Sequence, residues 1–377
     1  MSTSKAGAAL RRPGFPSLPS RLPSLLAPGA VLLLAGLLAA CGPAGEIGHI
    51  FQGPTMGTRY TVKVVAPIAR LDETGVAALE ATIVEQLEGV NGRMSTYQED
   101  SELSRFNRYR DPQPFAFSAD TMTVLHTAQE VSVASGGAFD VTVGPLVNAW
   151  GFGPGPQPVH GPDAETLAEL RRHVGHDKLE LDEAALTVRK LDPEVYCDLS
   201  AVAKGYAVDR VADALEAAGI HRYMVEVGGE VRTGGLNAQG EPWSIGIERP
   251  VSGERAVQRV LPLSGLAMAT SGDYRNFYEL DGRRVSHTID PRTGEPVSHS
   301  TASVSVVHPS CMVADAWATA LLVLGSDEGY RLAEELKLPV LFLIHSPGGG
   351  IREQATSVFQ ALSTEPQPGD RDPTEKR

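Results

Sequence analysis

Residues 301–344 read TASVSVVHPS CMVADAWATA LLVLGSDEGY RLAEELKLPV LFLI, and this stretch decides the class of fold. Its β-branched run at 301–307 reads as a strand, 311–324 and 327–336 as helices, and 339–344 as a second strand. Working outward, 59–66 alternates as a strand, with Tyr60, Val62 and Val64 on one side. The stretch 72–90 has helical spacing through Val76, Leu79, Ile83, Leu87 and Val90. Ser118 or Asp120 caps a helix running to Ala134, ended by Ser135-Gly136-Gly137, and Asp163 begins another that stops near Gly175. Residues 178–190 read as a hairpin, 200–218 as a helix and 223–227 as a buried strand. Residues 243–248 and 277–286 extend a sheet, the latter turning at Asp281-Gly282. Strands thus come as hairpins and runs rather than in regular βαβ alternation, which makes the class α+β: mixed sheets with packed helices, in one large body of two closely packed lobes. No internal repeat is visible.

The chain of 377 residues is 42% hydrophobic, enough to bury a large core and too polar for a multi-span membrane protein. Its formal charge is −13. Residues 1–40 carry Lys5, Arg11, Arg12 and Arg21 and no acid, so the remainder is four charges more negative still. Such a surface repels phosphate backbones, and no nucleic-acid partner is expected.

A basic, Pro-rich N-terminus leads into the apolar run 30–40, too short for a permanent membrane span and suited to an export signal. Leu38-Ala39-Ala40-Cys41 followed by Gly42 resembles a bacterial lipobox, in which Cys41 becomes the lipidated first residue. The expected organisation is a signal peptide over 1–40, a lipidated linker over 41–49, one catalytic domain over 50–362 and a disordered tail over 363–377, rich in Pro and charge. A lipid anchor would hold the protein on the periplasmic side of the inner membrane. Cys197 and Cys311 are then the remaining thiols, too few for a zinc site or disulfide framework, although one bridge between them is open in an oxidising compartment.

Chemistry concentrates in two clusters. Ser286-His287-Thr288-Ile289-Asp290-Pro291-Arg292-Thr293-Gly294 places an imidazole, a carboxylate and a guanidinium around one turn. Pro291 and Gly294 suffice to explain the turn but not His287 and Asp290. Asp315 and Thr319 stand four apart in a helix, so both oxygens share a face that suits a hard cation. Val227-Gly228-Gly229-Glu230 and Ser271-Gly272-Asp273-Tyr274 are places for close backbone approach to a ligand, though each also reads as an ordinary bulge or turn. Lys204 opens a helix after Asp198-Leu199-Ser200, a setting that favours an anion; the plainer reading is a solvated lysine on a capped surface helix.

Taken together, Met56-Gly57-Thr58, Ser95-Thr96-Tyr97, 101–107, 138–153, 198–209, 225–230, 269–276, 286–296 and 314–319 resemble the FAD:protein FMN transferases, the ApbE-like flavin-transferring lipoproteins, in the right order across roughly residues 50–360. The resemblance implies transfer of FMN from FAD to a Ser or Thr hydroxyl of an exported acceptor, a redox subunit, with release of AMP and a requirement for Mg2+. It further implies that Asp315 and Thr319, with the carbonyl of Ala201 and with Ala318 in the same turn, hold Mg2+. Met56, Tyr97, Gln98, Glu99, Ala138, Phe139, Asp140, Asp198, Lys204 and Ile289 would contact FAD. Phosphoryl transfer also needs a group to accept the hydroxyl proton; His287 suits that role, with Asp290 to orient it or assist the metal, whereas Arg292 braces the turn. Two other readings share these residues: a pyrophosphatase splitting FAD into FMN and AMP, and a non-enzymatic flavin-binding lipoprotein.

Overall fold

A computed structural model describes residues 45–155, 158–251, 256–273, 277–280 and 283–364. The signal segment, Cys41, the Asp281-Gly282 turn and residues 365–377 lie outside the described residues. The first half of the chain forms β1 (Glu46–Thr55), β2 (Thr58–Pro67), α1 (Glu73–Met94), α2 (Glu102–Arg108), β3 (Phe115–Ala116) and α3 (Ala119–Ala134). Then come α4 (Gly144–Ala149), α5 (Ala164–Arg171), the hairpin β4 (Leu179–Asp182) and β5 (Thr187–Lys190), and α6 (Ala203–Ala217). The second half runs β6 (Tyr223–Val227), β7 (Glu230–Gly234), β8 (Trp243–Glu248), β9 (Val257–Leu263), β10 (Ala267–Gly272), β11 (Phe277–Leu280) and β12 (Arg283–Ser286). It closes with β13 (Thr301–His308), α7 (Cys311–Glu335), β14 (Val340–His345), β15 (Ile351–Ala355) and α8 (Ser357–Thr364).

Helix starts follow side-chain chemistry. Asp72, Ser101, Ser118 and Asp163 each accept a hydrogen bond from a backbone N–H of the first turn, and each such cap is worth about 1 kcal/mol. In α1 the apolar repeat buries Leu79, Ile83, Leu87, Val90 and Met94 along one stripe. Helix α6 begins at Ala203, three residues later than its periodicity suggests. The two helices read in 311–336 are one element broken at Gly325, whose φ of 74° and ψ of 177° interrupt the helix. Helix α8 extends to Thr364, into the first residues of the stretch read as a disordered tail.

Eight strands form one antiparallel sheet in the order β1-β2-β6-β7-β10-β13-β14-β15. Both faces are buried, which explains the continuous apolar runs of β13 and β14. One face, through Val62, Val64, Val225, Val304, Val306 and Phe342, packs on α1, α3, α6 and α7 in the main core. The other face, through Val231, Met268, Val307, Leu341 and Leu343, packs on Trp243, Ile245, Ile247, Leu261 and Leu263 of β8 and β9 and on Phe359 of α8. β8 and β11 therefore do not extend the main sheet as expected: β8 pairs with β9 and β11 with β12, each as a separate two-stranded ribbon. Cys197 and Cys311 are buried free thiols, not a disulfide.

Helices α6 and α7 cross at Gly205, where an added Cβ would collide with the Cys311 carbonyl and the Asp315 Cβ. Asp209, one turn along α6, binds the start of α7: its carboxylate accepts from Ser310 Oγ (2.7 Å), Cys311 N (3.0 Å) and Met312 N (3.0 Å), and pairs with Arg232 at 3.0 Å. These bonds satisfy α7 donors that have no partner inside the helix. Lys190, on β5, is 8% exposed, donates to the carbonyls of Asn107 (3.3 Å) and Tyr109 (3.2 Å) and sits 4.6 Å above the Phe106 ring. Burial pushes its ammonium down to about 8.

Two outcomes follow from these contacts. Asp209→Ala leaves the α7 amides without their carboxylate, while Arg232 keeps Asp213 at 3.0 Å, and should cost about 2–4 kcal/mol in urea unfolding; a loss below about 1 kcal/mol would show that α7 is held elsewhere. For Lys190, the unfolded chain keeps its proton up to the usual lysine range, whereas the folded chain releases it near 8. Folding thus releases a proton between those values, so stability rises with pH across that window and the burial penalty persists in full below it. Measured against Lys190→Met, the native protein should gain up to about 3 kcal/mol on going from pH 8 to 10.5; parallel curves for the two proteins would contradict this.

Candidate active site

A cavity of about 1240 Å³ opens where the helical layer meets the ends of the central strands. Its walls are the β1–β2 turn, the loop after α1, residues 138–143, the end of α4, the start of α6, the β6–β7 turn, β8, β10, β11, residues 287–291 and one face of α7. Its volume exceeds the roughly 300–1,000 Å³ of ordinary small-molecule sites and suits a dinucleotide together with a second group.

The most polar wall is built from α6, α7 and β7. Asp315, 2% exposed, accepts from the Gly205 amide through Oδ2 at 3.0 Å and faces the Lys204 ammonium through Oδ1 at 3.6 Å. Thr319, one helical turn on, shares a hydrogen bond of 3.0 Å with Ser271 of β10. Lys204 Nζ lies closer still, 2.9 Å, to Oε1 of Glu230, a residue 4% exposed. Glu230 Oε2 is buried without a hydrogen-bond partner. Burial raises the Glu230 carboxyl well above its ordinary value, and the Lys204 ammonium only partly offsets this. Burial opposes the charge on Lys204, but Asp315 and Glu230 outweigh it and hold the lysine protonated above its usual range. The solvated surface lysine of the plainer reading is therefore replaced by a paired one. Gly228 and Gly229, with φ of 66° and 115°, make the tight β6–β7 turn that starts β7 at Glu230.

The 286–294 turn is fixed from within. Asp290 accepts from Arg292 N (2.9 Å), Nε (3.0 Å) and Nη2 (2.9 Å), while Gly294, at φ 80°, donates its amide to the Asp290 carbonyl at 2.8 Å. A small apolar cluster of Leu146, Trp150, Leu167, Val285 and Ile289 supports the turn, and Trp150 Nε1 donates to the Gly294 carbonyl at 2.8 Å. This leaves half-buried His287 on the cavity wall, edge-on to Phe152 with ring centroids 6.2 Å apart. The carboxylate of Asp290 is engaged by Arg292 and does not line the cavity, so it braces the turn; Arg292 acts there as its sequence suggested.

Most of the residues singled out in the sequence converge on this space: Met56, Tyr97, Gln98, Ala138, Phe139, Asp140, Asp198, Ala201, Lys204, His287, Ile289, Asp315 and Thr319 all line it. Tyr97 is 68% exposed and donates to the Phe152 carbonyl at 3.3 Å; partial burial and then nearby Asp198 raise its phenol above the ordinary value. The carboxylate of Asp140 is committed to its own loop, accepting from Thr142 N (2.8 Å), Thr142 Oγ1 (2.6 Å) and His176 N (2.7 Å). Two residues stand apart. Glu99 is exposed outside the lining, and Ala318 is wholly buried in the main core, because successive helical positions point about 100° apart and Thr319 takes the cavity side.

Glu230 and Ser271 belong to glycine clusters noted in the sequence as places for close approach to a ligand but were given no role of their own, and the β8 and β11 walls were not chosen at all. Glu230 was visible as the acid closing Val227-Gly228-Gly229-Glu230, but its weight comes from burial beside Lys204 and Asp315, which stand 26 and 85 positions away in the chain. Among the described residues no group of three or more His, Cys, Asp or Glu converges. The polar wall offers oxygen.

The ApbE family's sequence profile matches residues 56–342. The chain is 45% identical to the FAD:protein FMN transferase of Vibrio cholerae across 89% of this chain and 97% of that one, and 44% identical to its Haemophilus influenzae namesake across 86% and 94%. Among solved structures, the flavin transferase ApbE from Vibrio cholerae aligns with a TM-score of 0.77 at 45% identity, covering 84% of this chain and 99% of its own. The Pseudomonas stutzeri flavinyl transferase ApbE, in its apo form, gives 0.75 at 34% identity, covering 85% and 98%. Sequence and architecture agree over most of both chains, and the protein belongs to the ApbE family.

Proposed function

We propose that this chain moves FMN from FAD onto a Ser or Thr hydroxyl of an exported acceptor protein, releases AMP and depends on Mg2+. The observation that carries the reading is the meeting, in one cavity of about 1240 Å³, of half-buried His287 with the oxygen-bearing face of α7. The shared name of the relatives, FAD:protein FMN transferase, supplies the donor, the group moved and a protein as acceptor.

The residues present fit a hard divalent cation. Asp315 offers a buried carboxylate and Thr319 a hydroxyl one turn away, Ala201 lines the same cavity, and the orphaned Glu230 Oε2 stands beside the Lys204 ammonium that faces Asp315. Bound Mg2+ would supply neutralisation of charge on the pyrophosphate oxygens. The acceptor oxygen forms a bond to the FMN phosphorus as the bond from that phosphorus to the bridging oxygen breaks, and AMP departs with the electron pair. His287 takes the hydroxyl proton on a ring nitrogen, and the fixed 286–294 turn holds its backbone in place. Lys204 would add positive charge toward the phosphates if they lie along this wall. Met56, Tyr97, Phe139 and Ile289 give apolar and aromatic surface to the flavin end.

The lipobox-like Leu38-Ala39-Ala40-Cys41 supports a lipid-anchored protein on the periplasmic face of the inner membrane, where exported acceptors are within reach. No helix of the described residues is long and apolar enough to cross a membrane.

Covalent flavin fluorescence on an acceptor, AMP release and FAD affinity, measured together, test the mechanism. Asp315→Ala should abolish transfer at ordinary Mg2+, with partial recovery at excess Mg2+. His287→Ala should bind FAD nearly as well as the native protein yet transfer about 10²–10⁴-fold more slowly. Transfer at the native rate would return His287 to a structural role, and AMP release that is indifferent to the acceptor would mark a pyrophosphatase. On fractionation, Cys41→Ser should leave the membrane fraction; a wholly membrane-bound variant would contradict the lipid anchor.

A further inference from the structure

We propose that Lys204 is the cavity's built-in counter-cation: it occupies Asp315 in the metal-free protein, a divalent cation must displace it, and Glu230 keeps the displaced lysine in the cavity. The inference rests on the reading of Asp315 as a metal ligand and concerns what stands in the cation's place before it arrives.

The argument starts from the two oxygens of Asp315. Oδ2 already accepts the Gly205 amide at 3.0 Å, where the two helices cross closely, so Oδ1 is the less engaged oxygen of the pair. That is the oxygen the Lys204 ammonium faces, at 3.6 Å. At that distance the contact is one of charge, and the lysine and a metal ion compete for the same side of the carboxylate. Among the described residues Lys204 is the one cation that pairs with both buried carboxylates of this wall.

Glu230 provides the alternative berth. The ammonium is already nearer to it, at 2.9 Å from Oε1, and the buried Oε2 has no partner and can accept a second N–H once the lysine leaves Asp315. Gly228 leaves room for that movement: a Cβ there would stand 3.4 Å from both Lys204 Cδ and Glu230 Oε2. With its side chain 29% exposed, Lys204 can swing on its stem while α6 stays in place. Glu230 on this account is a positioning residue that acts through Lys204.

Calorimetric titration of the FAD-free protein with Mg2+ alone tests the proposal, with Mn2+ binding followed by electron paramagnetic resonance as a second readout. Lys204→Met should bind either ion about tenfold or more tightly than the native protein, because the competing charge is gone. Lys204→Arg keeps the charge and should retain the weaker affinity; Lys204→Gln serves as a second neutral variant should Met disturb the fold, checked by near-ultraviolet circular dichroism. Glu230→Gln should weaken Mg2+ binding in the native background, where the lysine falls back on Asp315, and have a much smaller effect in the Lys204→Met background. Equal losses in the two backgrounds would reduce Glu230 to a simple negative charge and overturn its role. Native protein that binds Mg2+ while Lys204→Met binds it no more tightly would overturn the counter-cation but leave the metal reading intact. Absence of Mg2+ binding in every variant, with and without FAD, would remove both.

Discussion

At Gly205 a backbone amide of α6 reaches across to the carboxylate of Asp315 on α7, a contact that exists only because no side chain separates the two helices. Four residues on, Asp209 ties the same helix to the first amides of α7. These bonds set how far α7 slides along α6, and that offset decides which α7 residues face the cavity. A slip by one residue would turn Asp315 and Thr319 away and bring in the apolar neighbours Ala316 and Ala320.

The central sheet keeps support and chemistry apart. Its strands are buried on both sides, by long helices on one and by the β8–β9 ribbon and α8 on the other, so its frame does not depend on any one loop. The cavity gathers at strand ends and turns, where the backbone is free of ladder hydrogen bonds and can meet a ligand. A third, smaller apolar cluster around Trp150 and Ile289 carries the His287 loop separately from the α7 wall. His287 and the Asp315–Thr319 face of α7 thus rest on different parts of the molecule and come together only across the cavity.

Legibility in the sequence followed how local the determining forces were. Helix α1 was readable from its apolar stripe, and α3 and α5 from a capping side chain at the start and glycine beyond the end. Strands β7 and β10, EVRTG and AMATSG, carry little alternation and went unread, as did β1, β9 and β15; the first two are strands because neighbours pair them on both sides at the middle of the sheet. The same division applies to the site. Asp315 and Thr319 announced themselves through spacing along one helix, His287 through the polar residues crowded around its turn, and Met56, Tyr97 and Asp198 through the family's motifs. Glu230 did not, because its character depends on depth and on partners brought by folding, and no local pattern encodes either.

The β1–β2 turn illustrates a tension between economy of folding and shape of the cavity. Met56 and Gly57 occupy its two central positions with φ of 45° and 71°, a conformation that Asn-Gly adopts with little strain and that disfavours a long side chain at the first position. Met56 nevertheless stands there, half-buried and forming part of the cavity wall. An engineer seeking heat resistance would choose asparagine at this position and gain a calmer hairpin. That choice would also trade a pliable thioether for a short amide on the wall, so this turn is a poor place to harden the protein while keeping its pocket.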